Sequence, residues 1–140
     1  MVGKKIDGKW YIRLQKGEEI ISSLLDFCKQ NQIYLGTISG IGACSPATLG
    51  IFLTKEKKYI SKTFTGDMEL TSLLGNVTTM NGNIYLHLHA TVGDESLNTH
   101  SGHLSAATIS ATGEMVIDPS NGTIEREKNE EIGINIWNLL

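Results

Sequence analysis

The sequence predicts an α+β fold, with a mostly antiparallel β-sheet packed against one main α-helix. Three observations carry this. One stretch, GEEIISSLLDFCKQNQ, spaces its apolar residues at helical intervals. From Ile33 onward the chain is rich in β-branched residues and glycine, enough for about six to eight strands. Turn signals, Gly66-Asp67 and Asn81-Gly82 above all, part those strands at hairpin distances.

Taken in order, Trp10 to Leu14 alternate and read as a first strand. The helix follows, with Ile20, Ile21, Leu24, Leu25 and Cys28 on one face and Glu18 and Glu19 at its positive end. IYLGTISGIGACSPATLGIFL reads as strand pieces on either side of Ser45-Pro46. KEKKYISKTFTGDMELTSLLGNVTTMNGNIYLHLHA reads as three strands, and Asn-Gly at 81–82 accepts the positive φ angles of a type I′ turn. HLSAATISATGEMVIDPSNG adds a strand with an expected break at Thr112-Gly113, and EREKNEEIGINIWNLL ends in an apolar strand.

At 140 residues the chain fits one domain, 1–140, with no visible linker. Charged residues are 19% and apolar residues 40%, which excludes a disordered composition. The net charge of −3 argues against binding nucleic acid by bulk charge. Arginine occurs only at Arg13 and Arg126, and the one basic cluster, Lys55 to Lys58 with Lys62 nearby, reads as a solvated loop. Cys28 and Cys44 read as reduced core residues of a cytoplasmic protein. The N-terminus lacks a signal-peptide pattern, and no apolar run is long enough to cross a membrane.

The glycine cluster GTISGIGACS is not a phosphate loop. Gly40 and Gly42 are followed by Ser45 and Pro46, then by strand-like sequence with no helix N-terminus. No nucleophile elbow is present either.

The four histidines all fall in YLHLHATVGDESLNTHSGHL. His87 and His89 are two apart among strong strand formers, so they share a strand face. If the next strand returns as a hairpin, His103 lands beside His89, close enough for three imidazoles to hold one divalent ion. The plainer reading is polar residues on a solvent face. His100 is expected in the connector, exposed and not ligating. Glu69 shares strand parity with Leu73 and Val77, which would place its carboxylate on a partly buried face; for it and for Glu114 the plainer role is a partner near a strand end.

GTISGIGACSPATLGIF, MELTSLLGNV, YLHLHATVGDES, SGHLSAATI and GEMVI follow one another in the order of the plants-and-prokaryotes-conserved (PPC) domain family, which the chain resembles from about Trp10 to its end. The resemblance implies a compact α+β domain, a homotrimer, and a metal ion at the positions of His87, His89 and His103. Zinc or another divalent transition metal suits three histidines with one position open. Where the family has an apolar residue and two glycines before the last histidine, this chain has His100-Ser101-Gly102. The family is also labelled as predicted DNA-binding, a label that comes from plant members with AT-hooks; this chain has no Arg-Gly-Arg core. The reading is an assembly or interaction module, with DNA as a weakly supported partner. The alternative is a zinc-dependent hydrolase or lyase acting on a small molecule, with Glu69 or Asp94 as general base.

Overall fold

The structure, a computed structural model, describes residues 1–139; Leu140, the end of the apolar tail, lies outside them. The chain opens with β1 (Val2–Ile6) and β2 (Lys9–Gln15), joined at Asp7-Gly8. Both turn residues have positive φ, 49° and 83°, as a tight hairpin of twisted strands requires. The sequence reading began at Trp10 and missed β1. All five β1 residues are exposed, so no alternation marks them.

Helix α1 (Ile20–Gln30) forms where expected, burying Ile20, Leu24, Phe27 and Cys28 against β6 (Asn83–Asp94) and β7 (Thr99–Pro119). Its N-cap is Glu19, whose side chain accepts from Ser22 N at 2.7 Å. The other carboxylate oxygen accepts from the backbone N–H of Ala107 at 3.2 Å, tying the helix start to β7. Glu18 turns away and takes the N-terminal ammonium and the Gln15 N–H. We expect Glu19→Ala to cost about 2 kcal/mol, since it removes a cap and leaves the Ala107 N–H without its acceptor. Urea unfolding checks this; a change under about 0.5 kcal/mol would show that the two bonds are dispensable.

The remaining strands are β3 (Gly36–Leu53), β4 (Lys58–Phe64), β5 (Met68–Met80), β8 (Arg126–Asn129) and β9 (Ile134–Trp137). The sheet runs β1-β2-β7-β6-β5-β3-β4, every pairing antiparallel, and β3 also pairs with β7. Thus β7, β6, β5 and β3 close on themselves. This is the α+β architecture the sequence predicts.

Two local expectations are corrected. β3 is one strand through Ser45-Pro46, not two pieces: its first half pairs with β5 and the end of β7, its second half with β4 and the start of β7. β7 runs unbroken through Thr112-Gly113; the irregularity appears as register shifts against β3, from Gly42 to Cys44 and from Cys44 to Ala47. The tail ends in the expected apolar strand, β9, which pairs with β8 in a separate hairpin whose first strand the sequence reading missed. Both cysteines are free and buried, and burial pushes the Cys28 thiol up to about 12. Among the described residues no helix is long and apolar enough to cross a membrane.

Candidate metal centre

β6 is hydrogen-bonded to β5 on one side and β7 on the other. Its alternation sends Leu88 and Ala90 into the core and His87 and His89 to the opposite face. His103 pairs directly with His89 across the β6–β7 ladder, as the hairpin argument required. One ring nitrogen from each of His87, His89 and His103 lies within 4.8 Å of the others. The ring centroids are 5.0, 5.3 and 5.7 Å apart. A tetrahedral ion 2.0–2.1 Å from each nitrogen would set the nitrogens about 3.4 Å apart, so small side-chain rotations suffice.

Two further observations fit a metal. His103 Nδ1 is buried and has no hydrogen-bond partner, and an unpaired buried ring nitrogen is costly unless a ligand meets it. Burial, then Arg126, then His103 and His89 push the His87 imidazole down to about 4, so near neutral pH it keeps its lone pair. His103 is lowered too, by burial and by His89.

Gly102 lets β3 approach this ladder. A Cβ there would lie 2.5 Å from the carbonyl oxygen of Gly50, which pairs with His103. The Ser101-Gly102 step therefore retains the one glycine that the close approach needs.

The connector expected between His89 and His103 is mostly strand. β6 continues to Asp94 and β7 starts at Thr99, leaving a short turn that Asp94 organises by accepting from the N–H groups of Ser96 and Asn98. His100 is therefore half-buried on β7, not loose. It bonds Asp94 through Nε2 at 3.0 Å and stacks on Phe64 at 4.2 Å. Asp94 lies five residues beyond His89, about 16 Å along an extended strand, and Glu69 pairs opposite Gly93 at that same end. Neither acid reaches the histidine cluster, so the general-base role is withdrawn for both. Glu69 is exposed, because a register shift between Leu70 and Ser72 breaks the parity it was expected to share with Leu73. Glu114 pairs with Arg13 and Ile41, far along β7.

Sequence reasoning missed Arg126 and Tyr59. Arg126 Nη2 lies 3.5 Å from His87 Nδ1, its guanidinium covers the Tyr85 ring at 4.8 Å, and the Tyr59 ring lies 5.3 Å from that of His103. A basic residue in EREKNEE has the look of a solvated charge run, and nothing local shows that β8 folds back beside β5.

The sequence matches the Plants and Prokaryotes Conserved (PCC) domain over residues 1–121. No curated protein matches it. Several solved structures do. A Bacteroides thetaiotaomicron protein, named as a proposed DNA-binding protein, is 39% identical, with a TM-score of 0.95 over 98% of this chain and 96% of its own. The plant- and prokaryote-conserved protein of Pyrococcus horikoshii is 28% identical, with a TM-score of 0.87 over 99% and 94%. A metal-containing protein of Archaeoglobus fulgidus is 27% identical, with a TM-score of 0.87 over 99% of both chains. A family match across most of the chain and a fold shared almost end to end leave one conclusion: this chain belongs to the Plants and Prokaryotes Conserved (PCC) domain family.

Proposed function

We propose that the chain, as one domain over residues 1–140, is a metal-binding assembly module. His87, His89 and His103 hold one divalent transition metal, zinc by the chemistry of a neutral three-histidine donor set. The observation that carries this reading is the convergence of one ring nitrogen from each of three histidines within 4.8 Å, with His103 Nδ1 buried and unpartnered. The metal-containing Archaeoglobus fulgidus relative supports it. The test is elemental analysis of the purified protein together with zinc titration of the stripped protein. About one zinc per chain supports the reading; no divalent metal even after reconstitution overturns it.

Assembly is proposed as a homotrimer. A groove of about 880 Å³ is walled in part by Val2, Tyr11, Ile41 and Leu74; no histidine lines it, but Leu74 is the cross-strand partner of His89. Ile41 is 56% and Leu74 60% exposed, an apolar surface of the kind that subunits cover. Light scattering is expected to give about three times the 15.3 kDa chain mass, and Ile41→Asp is expected to shift the particle towards the monomer. A monomer across the micromolar range would end this proposal.

DNA is a weak candidate partner. The Bacteroides thetaiotaomicron relative is named for it, but here the net charge is −3 and one of the two arginines, Arg126, is buried. We expect duplex binding no better than non-specific, falling steeply with salt. A nanomolar, sequence-dependent dissociation constant at physiological salt would contradict this.

The second reading is a metal-dependent hydrolase or lyase. Three histidines leave a coordination position free, and exposed His89 opens the cluster to solvent. The metal would supply Lewis-acid chemistry. The chain's own part would be to hold the ion through three neutral imidazoles and to present Arg126 beside them.

A further inference from the structure

Arg126 is 5% exposed, and a guanidinium stays charged at any physiological pH. It donates from Nε to Thr78 Oγ1 at 2.8 Å, from Nη1 to the Asn135 carbonyl at 3.0 Å and from Nη2 to Asn76 Oδ1 at 2.9 Å. All three acceptors are neutral. Among the described residues no carboxylate forms an ion pair with it. Its neighbours in sequence point elsewhere, Glu125 to Thr79 and Gly82, Glu127 to Asn138. A guanidinium has five N–H groups, and the 3.5 Å approach to His87 Nδ1 is too long for a firm bond. Buried charges are ordinarily paired, because desolvation without a counter-charge is costly.

The histidine cluster has the complementary gap. A metal-ligating imidazole ordinarily donates its second N–H to a carboxylate, a carbonyl or water. The group facing His87 Nδ1 is instead a donor. Three neutral imidazoles leave the charge of a divalent ion uncompensated, and Arg126 adds to it.

We propose that Arg126 and the histidine cluster together form a binding site for a small oxyanion, a carboxylate or a phosphate group, which the guanidinium receives beside the metal. The proposal rests on the metal-binding reading above and names the ligand class of that same site. One oxyanion supplies the missing counter-charge and the missing acceptor at once. Tyr85 under the guanidinium and the bonds to Thr78, Asn76 and Asn135 hold the Arg126 fork in place before any ligand arrives. Arg126 lies on β8, beyond the residues that match the family domain, so the site joins that domain to the hairpin that follows it.

The test uses the full chain loaded with cobalt(II), whose visible spectrum reports changes at the metal. Acetate and inorganic phosphate are titrated separately at ionic strength fixed with sodium chloride. A saturable spectral change with either is expected, and the tighter of the two identifies the ligand chemistry. Arg126→Met is expected to weaken that binding at least about 30-fold, the loss of a charge-assisted contact. Because Arg126 also ties β5 to β8 and β9, folding is checked first by circular dichroism. If Arg126→Met does not fold, Arg126→Lys, which keeps the charge and loses the fork, is expected to weaken binding at least about fivefold. Failure to take up cobalt would overturn the metal reading alone. The anion site is then read on the metal-free protein, where phosphate or acetate should raise the unfolding midpoint of the wild type and not of the variant. The proposal is overturned if the wild type responds to neither anion in either form, or if the folded Arg126 variant binds as tightly.

Discussion

Alanine at His87, His89 or His103 is expected to weaken zinc binding by at least about 100-fold, more than the loss of an outer-shell partner usually costs. The remaining two imidazoles cannot close a tetrahedral site. His100→Ala is expected to keep the metal, because that imidazole is engaged with Asp94 and Phe64. Competition with a chromophoric chelator measures all four. Retention of tight binding in any of the first three variants would remove that residue from the site. The acid limb is also set by these shifts. His87, pushed down to about 4, takes up a proton only well below the ordinary histidine range, and His103 is lowered too, so protons compete with the metal for these two side chains only at lower pH than for an ordinary histidine. The same shift makes the metal-free fold sensitive to acid. Below about pH 6.5 the unfolded chain protonates this histidine while the folded chain does not. Stability from His87 is thus full above that pH, is lost as pH falls, and is gone once pH passes through about 4.

Gly102→Val is expected to destabilise the metal-free protein by about 2–3 kcal/mol and to weaken metal binding at least about tenfold. The added Cβ would meet backbone, the Gly50 carbonyl at 2.5 Å, and backbone cannot swing aside as a side-chain tip can. β3 and β7 must separate where His103 is held. Gly93→Ala is the control: its nearest neighbour, Thr71 Cγ2, would lie at 3.7 Å, an ordinary contact. It is expected to change stability by less than about 1 kcal/mol. Urea unfolding and metal titration of both variants decide it. Equal behaviour would mean that β3 yields at Gly50.

The helix and the His87–His89–His103 convergence were legible because local periodicity encodes them. A strand face repeats every two residues, and a hairpin returns to a neighbour. Asp7-Gly8 was as strong a turn signal as Asn81-Gly82, but β1 has no buried residue to give its strand an apolar rhythm. Strand lengths were misjudged for a related reason. β3 changes partners at mid-course, and glycine or proline at such a crossing looks in sequence like an end. Glu69 was assigned the wrong face because one extra residue in β5 inverts the parity beyond it. Arg126 was illegible for a different reason. Its surroundings come from β5, β6 and β9, and no spacing rule links those to EREKNEE.

The pairing of β3 with β7 also sets the order in which a growing chain can mature. β3 emerges early, and β4 and β5 follow soon enough to pair with parts of it. The flank that belongs to β7 must wait: Gly36 pairs with Pro119, and Gly50 with His103. Until the ribosome has delivered most of the sequence, one of the longest strands keeps an unsatisfied backbone. Such non-local closure is slow, and an open flank invites pairing with another nascent chain. His103 is delivered by that same late strand, so His87, His89 and His103 come together only when the sheet closes. An ion held by all three histidines would therefore mark a chain that has finished folding.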